Sequence, residues 1–275
     1  FKPVGLSAQQ VPIRLIVSDT VVPERGDHDL HRLARLRWIE SDVGLSDKVY
    51  PPYKPLKVLA GGRAVRSWGH TVELSATGLP ASVDVGKERV TAGPMTLMCK
   101  MGGRPVTWRG AKLKITAKKP GFVEWEGQAI ERGLTLRVSG RMEYDACSVV
   151  SVKLEAAGRP VRVRELTLRL PWAKESAWLA SGLGYRGKRE GNRAWRSIKR
   201  GAKAFDPALW MGGVEAGLGW KTWTVDHWAG VAGAATAAAS LVKRDAWEDI
   251  SRADAITVEE EGGAVVLTAN LGDHR

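Results

Sequence analysis

The sequence has little or none of several features that mark common protein classes. It contains two cysteines, Cys99 and Cys147, among 275 residues, which are too few for a disulfide framework or a zinc site. We expect both to be small, buried strand residues, as unpaired cysteines commonly are. The longest stretch free of charge, Ala229–Val242, is rich in Ala and Gly and too short to cross a bilayer. No membrane partner is therefore expected.

Motifs for nucleotide binding and nucleophilic catalysis are also missing from the sequence. It has no Walker loop, no dinucleotide-binding glycine pattern and no nucleophile elbow, so no cofactor is predicted. Its five histidines are dispersed and suggest no triad. The run Asp27-His28-Asp29-Leu30-His31 resembles a metal cluster, but it lies in a predicted linker. Exposed linker polarity is the preferred interpretation, and no metal site is predicted.

Positive charge and tryptophan are what the chain has in excess. Forty-two Lys and Arg residues against 30 Asp and Glu residues give a net charge of +12 and a pI near 9.9. This balance favours anionic partners and says nothing about the fold. Seven of the twelve tryptophans lie between Pro171 and Trp228.

Period-2 alternation of apolar and polar residues dominates the sequence and predicts an all-β fold. In Gly133–Tyr144, for example, Leu134, Leu136 and Val138 alternate with polar residues. Such strands recur about every ten residues with turn signals between them, and paired glycines at Gly61-Gly62 and Gly262-Gly263 predict hairpins. We expect a large antiparallel β-sandwich with few short helices, in which a mutarotase-like supersandwich is one variant.

The turn-forming stretch Pro23–Asp29 predicts a domain boundary. Residues 1–29 are expected to be the last strand of a preceding small β domain plus a linker, and residues 30–275 to be the large sandwich. The chain starts without Met and ends directly after a strand-like run. We therefore expect a processed chain or a fragment.

The densest candidate site is the segment Tyr185–Phe205, which carries eight basic residues and one acid. Its glycines predict a loop. Trp195 and the cations could hold a sugar, whose apolar face stacks on an indole and whose polar groups pair with Arg or Lys. They could also grip a nucleic acid, or the loop could be solvated and anchored by Trp195. We predict carbohydrate binding by Tyr185, Arg186, Lys188, Arg189, Trp195, Trp210, Lys221 and Trp223.

Catalytic carboxylates are harder to assign. Glu124 and Glu126 flank Trp125 on one predicted strand and should point to the same face. A solvated strand face is the preferred interpretation, because a glycosidase pair must face each other across a cleft. If the sandwich is itself an enzyme, these two residues, Asp226 and His227 are the candidates.

Five segments in order resemble a known family. They are Leu33–Val58, Gly78–Ser82, Leu166–Pro171, Gly184–Lys188 and Leu209–Leu218, the last reading LWMGGVEAGL. Together they are similar to bacterial glycoside-hydrolase-like multidomain proteins related to glycoside hydrolase family 123. The sequence departs from that pattern at Gly213, where an acid is commoner, and in an Ala-rich stretch after residue 228.

The resemblance implies a multidomain protein in which a small β domain precedes a large sandwich and a (β/α)₈ barrel carries an adjacent Asp-Glu pair. This chain has no Asp-Glu dipeptide, so no catalytic residue carries over. The implied role is to shape or bind a glycan rather than to cleave it. Its partners would be a polysaccharide or oligosaccharide and the missing catalytic domain, and its location extracellular or periplasmic. The alternatives are a sandwich-fold hydrolase, lyase or mutarotase, and, less favoured, a basic protein that binds nucleic acid or an anionic surface.

Overall fold

The computed structural model describes residues 12, 14, 16–17, 19–23, 46–158, 161–195, 208–221 and 256–274. The chain divides into two compact units, 1–46 and 47–275. The predicted boundary near residue 29 stays a prediction, and the Asp27–His31 cluster lies outside the described residues. Everything that follows concerns the second unit.

The described strands of this unit form four antiparallel sheets in a propeller-like arrangement. Sheet I has the order β1 (Lys57–Val58), β2 (Ala64–Arg66), β3 (His70–Leu74), β4 (Pro80–Val85), β5 (Glu88–Arg89). Sheet II has the order β11 (Ser148–Ala156), β10 (Leu134–Glu143), β9 (Phe122–Glu131), β8 (Arg109–Lys118). Sheet III has the order β15 (Arg193–Trp195), β18 (Ile256–Glu261), β19 (Ala264–His274), β12 (Val163–Ala173), β6 (Thr96–Met101), β7 (Arg104–Pro105). Sheet IV has the order β14 (Tyr185–Lys188), β13 (Leu179–Gly182), β16 (Ala208–Gly212), β17 (Gly217–Lys221).

The all-β class predicted from the sequence is confirmed, whereas a single large sandwich stays a prediction. Among the described residues of the second unit, the helical elements are two single turns of 3₁₀ helix, Ala60–Gly62 and Lys174–Ser176. None of the described helices is long and apolar enough to span a membrane.

Both predicted glycine hairpins are present. Gly262 and Gly263 connect β18 to β19 with φ values of +57° and +81°. Two successive positive φ values match the right-handed twist of the flanking strands, and glycine adopts them without a Cβ clash. The predicted turn at Gly61-Gly62 likewise separates β1 from β2.

Three hydrophobic cores each join two sheets. The first core includes Val72 of sheet I and Trp125 of sheet II, and the second includes Leu136 of sheet II and Leu97 of sheet III. The third core joins sheets III and IV, with Trp172, which is fully buried, and Met211 among its members. Burial of apolar side chains between sheets stabilises each pair by the hydrophobic effect.

Some predictions about single residues are wrong. Trp68 is 48% exposed although tryptophans of alternating segments are commonly buried, and its ring meets Tyr53 edge to face with centroids 6.0 Å apart. Cys99 is buried as predicted, whereas Cys147 is exposed and precedes β11. The predicted loop from Tyr185 contains two strands instead, β14 and β15.

Candidate functional site

Sheet IV has one buried face and one exposed face. Strand alternation places Tyr185, Leu209 and Met211 in the core against sheet III. The alternate positions lie on the opposite face, most of which is exposed or half-buried. Four of the predicted carbohydrate-binding residues lie on this exposed face, which we call the IV face: Arg186, Lys188, Trp210 and Lys221.

The registers of sheet IV arrange the IV face in rows. Arg186 pairs with Ser181, Ser181 with Trp210, and Trp210 with Gly219. The neighbouring row runs Lys188, Leu179, Gly212, Gly217. Because adjacent strands are about 4.8 Å apart, Arg186 and Trp210 are separated by about 10 Å at the backbone.

The indole of Trp210 lies over glycine. A Cβ atom at Gly217 would stand 2.7 Å from Cε2 of Trp210, and one at Gly212 would stand 2.7 Å from Cζ2. Any larger residue at Gly217 would therefore displace the ring. Trp210 stays 38% exposed, so the chain supports an aromatic ring on the outside of a sheet.

Tyr185 belongs to the framework beneath the IV face. Its side chain is 2% exposed, and its hydroxyl donates a hydrogen bond to the Gly191 carbonyl at 3.0 Å. The Arg193 guanidinium lies 4.7 Å from the ring centroid. Burial raises the pKa of this phenol. The structure therefore assigns Tyr185 packing contacts below the face.

Arg189 also has framework contacts. Its side chain is 7% exposed, and its Nε donates to the Ala177 carbonyl at 2.8 Å. Its Nη2 lies 2.6 Å from Oε1 of Glu260, while Nζ of Lys174 lies 2.7 Å from Oε2. Hydrogen bonds from Lys174 and Arg189 lower the pKa of Glu260 to about 2. This network ties hairpin β13–β14 to β18 of sheet III.

The remaining predicted site residues are not brought to the IV face by the described structure. Trp195 ends β15 at the edge of sheet III, where its backbone pairs with Ile256. Trp223, Asp226 and His227 lie outside the described residues.

Sequence reasoning missed one exposed tryptophan beside sheet IV. Trp178 directly precedes β13 and is 47% exposed. A Cβ atom at Gly213 would stand 2.9 Å from its Nε1. Gly213, which has no Cβ, therefore allows the Trp178 ring to approach the backbone. The tryptophan-rich segment itself was the available signal.

Glu124 and Glu126 share one face of β9, as predicted, with Trp125 buried between them. Oε1 of Glu124 accepts a hydrogen bond from Nη1 of Arg141 at 3.0 Å. Arg141 Nε also donates to Glu143 at 3.2 Å. The two carboxylates thus lie on an exposed face of mixed charge. In the part of the chain that the structure describes, no group of three His, Cys, Asp or Glu residues could hold a metal ion.

A comparison with protein families identifies the domain. The family model described as glycoside hydrolase 123, third domain, matches residues 58–275, which include sheets II, III and IV completely and nearly all of sheet I. The chain belongs to this family. The resemblance drawn from the sequence motifs is confirmed. A comparison with curated proteins gives no match.

Within a glycoside hydrolase 123 third domain, the IV face is the strongest candidate site. It combines a supported, solvent-exposed indole with long cationic side chains on a paired sheet. These groups can take the apolar face and the polar edge of one ligand at once. A rigid sheet also presents them at fixed spacing, so little order has to be gained on binding.

Proposed function

We propose that this glycoside hydrolase 123 third domain binds a glycan on the IV face and does not cleave it. The observation that carries the proposal is the indole of Trp210, which lies over Gly217 and remains 38% exposed. A pyranose ring has an apolar face of C–H groups that can stack on such a ring. Arg186 and Lys188 are exposed on the same face and can donate hydrogen bonds to sugar oxygens.

The chemistry of the IV face favours binding over hydrolysis. Glycoside hydrolysis requires two carboxyl groups flanking the scissile bond in most families. The described strand positions of this face supply Arg, Lys, Ser, Leu, Ala, Gly and Trp, but no carboxylate. On sheet II, Glu124 is hydrogen-bonded to Arg141. Under this proposal, another domain of a multidomain glycoside hydrolase cleaves the bond. The proposal also includes an extracellular or periplasmic location.

The two remaining readings are a polysaccharide-cleaving sheet enzyme and a nucleic-acid binder. The first needs turnover by the purified chain. The second needs an affinity that falls steeply with salt and does not depend on sugar structure. Both are outcomes that the following experiment can return.

The proposal is tested by affinity electrophoresis in gels that contain neutral, amino or uronic polysaccharides. Wild-type protein should be retarded by at least one polysaccharide, and Trp210→Ala should lose that retardation. Trp68→Ala is the matched control, because Trp68 is 48% exposed but lies beside sheet I. Its retardation should match the wild type.

Two results would contradict the proposal. Unchanged retardation of Trp210→Ala would remove the IV face as the site. Release of oligosaccharides by the purified chain, detected by mass spectrometry and abolished in Glu124→Gln, would make the chain an enzyme.

A further inference from the structure

Resting on the glycan-binding function proposed above, we infer that the IV face selects anionic glycans. Carboxylate or sulfate groups of the glycan pair with Arg186 and Lys188 while a neighbouring sugar ring stacks on Trp210. The ligand class is thus a polysaccharide with uronic acid or sulfate-ester groups. A neutral glycan would use the indole alone.

The charged residues at the strand positions of the IV face are all cations. The described strand positions carry three cations, Arg186, Lys188 and Lys221, and no acid. Arg186 and Lys188 are two residues apart on β14, so their backbone positions are about 7 Å apart on the same side. Like charges at this spacing repel each other, and an anion placed between them relieves that repulsion.

Glu260, the acid of sheet III that contacts the Arg189 side chain, already has two cationic partners. Glu260 accepts hydrogen bonds from Lys174 and Arg189, at 2.7 and 2.6 Å. The Arg189 side chain, which pairs with this carboxylate, is only 7% exposed. Among the described residues neither Arg186 nor Lys188 forms an ion pair, so both guanidinium and ammonium remain open to a ligand.

The exposed surface of sheet II in the same domain differs from the IV face in its charge pairing. On sheet II, cations lie beside acids: Arg137 and Lys153 both contact Glu155 at 2.6 Å. A surface that serves only for solubility can be neutralised in this way at little cost. The strand positions of the IV face carry cations and no acid beside an exposed indole, and the exposed acids Glu190 and Glu215 lie in the loops after β14 and β16. That combination suits a ligand that is both apolar and anionic.

The geometry also accounts for how one chain of sugars could meet both features. Trp210 and Arg186 lie in one row of the sheet, about 10 Å apart at the backbone. The Arg186 side chain can extend toward the indole across Ser181, which is small and exposed. The planar guanidinium of Arg186 can donate two hydrogen bonds to one carboxylate or sulfate, whereas the Lys188 ammonium is a single charge on a flexible side chain.

The test compares polysaccharides that differ only in charge. Polygalacturonate is paired with its fully methyl-esterified form, and dextran sulfate with dextran, so that carboxylate and sulfate are tested separately. The variant is Arg186→Gln with Lys188→Gln. The control is Lys112→Gln with Lys114→Gln, which removes two exposed cations at the same spacing on β8 of sheet II.

We expect at least one charged polymer to bind the wild type about tenfold more tightly than its neutral partner, about 1.4 kcal/mol. The Arg186/Lys188 variant should lose that difference, and the Lys112/Lys114 control should keep it. Trp210→Ala should weaken binding to the charged polymer as well. The polymer that shows the effect identifies the anionic group.

Three results would overturn the inference, and they are distinguishable. Equal binding of charged and neutral polymers, lost in Trp210→Ala, would leave the proposed function standing and refute the anionic preference. No binding of any polymer would refute both. Equal binding of double-stranded DNA, unchanged in Trp210→Ala, would show an unselective polyanion surface.

Discussion

Trp125 and Trp210 lie over glycines in the same way but on opposite sides of their sheets. A Cβ atom at Gly140 would stand 2.6 Å from Nε1 of Trp125, and one at Gly217 would stand 2.7 Å from Cε2 of Trp210. Trp125 is 1% exposed and donates to the Gly78 carbonyl at 2.8 Å, whereas Trp210 is 38% exposed. The first arrangement builds a core. The second leaves the indole open to solvent.

The exposed faces of the two sheets that carry these tryptophans also differ in charge. The exposed face above Trp125 mixes signs, as Glu124 with Arg141 and Arg137 with Glu155 show. The exposed face that carries Trp210 has cations at its strand positions and no acid among those that the structure describes. Exposure and charge together, and not tryptophan content, distinguish the structural face from the face proposed for binding.

The largest expected effect separates the two tryptophans by stability. Trp125→Ala removes a buried ring and should lower the free energy of unfolding by about 3–5 kcal/mol. Trp210→Ala exposes only glycine backbone and should cost about 1 kcal/mol or less. Urea denaturation followed by circular dichroism measures both. Equal losses in the free energy of unfolding would mean that Trp210 is a structural residue like Trp125.

The glycines beneath the rings provide a sharper version of the same test. Gly140→Ala places a methyl group against an indole that has no room to move, and should cost about 1–3 kcal/mol. Gly217→Ala meets an indole that can swing into solvent, so the cost should be within about 0.5 kcal/mol. A large loss for Gly217→Ala in the same denaturation experiment would show that the Trp210 ring is fixed.

A smaller effect is expected from the ion pairs that hold sheet IV to sheet III. The pKa of Glu260 is lowered from its ordinary value near 4.5 to about 2 in the folded protein. Its contribution to stability is therefore complete above about pH 4.5 and is lost as the pH falls toward 2. Glu260→Gln should have a lower thermal midpoint than the wild type at pH 7, and the difference should vanish over that range.

Glu259→Gln is the control for that prediction, since Glu259 is a neighbouring exposed carboxylate on β18. Its thermal midpoint should follow the wild type at every pH. A Glu260→Gln difference that does not change between pH 7 and pH 2 would contradict the ionic explanation.

Strands with clean alternation could be predicted from the sequence, because alternation is a local property. Gly133–Tyr144 was predicted as a strand and forms β10, Leu134–Glu143. The segment YRGK could not, because Gly187 between two charged residues, Arg186 and Lys188, disfavours a strand by composition. It becomes β14 through pairing with β13, and such tertiary pairing leaves no local pattern.

The candidate site was predictable in its members but not in its arrangement. Arg186, Lys188, Trp210 and Lys221 could be named from charge and aromatic content. Arg189 lies below the IV face because it pairs with Glu260, which is 71 residues away in the chain. Trp210 lies on the exposed face of sheet IV over a glycine of the next strand. Both facts follow from strand register, which a single sequence does not fix.

The most direct test of the account is glycan retention by Gly217→Ala compared with Gly219→Ala. The two glycines lie two residues apart on the same face of β17, and both variants retain Trp210 and every cation. A Cβ atom at Gly217 would clash with the indole, whereas one at Gly219 would stand at an ordinary 3.8 Å from Cδ1. We predict that Gly217→Ala loses retention in affinity electrophoresis and that Gly219→Ala keeps it. Equal retention by both variants would contradict the claim that the supported Trp210 ring is the binding platform.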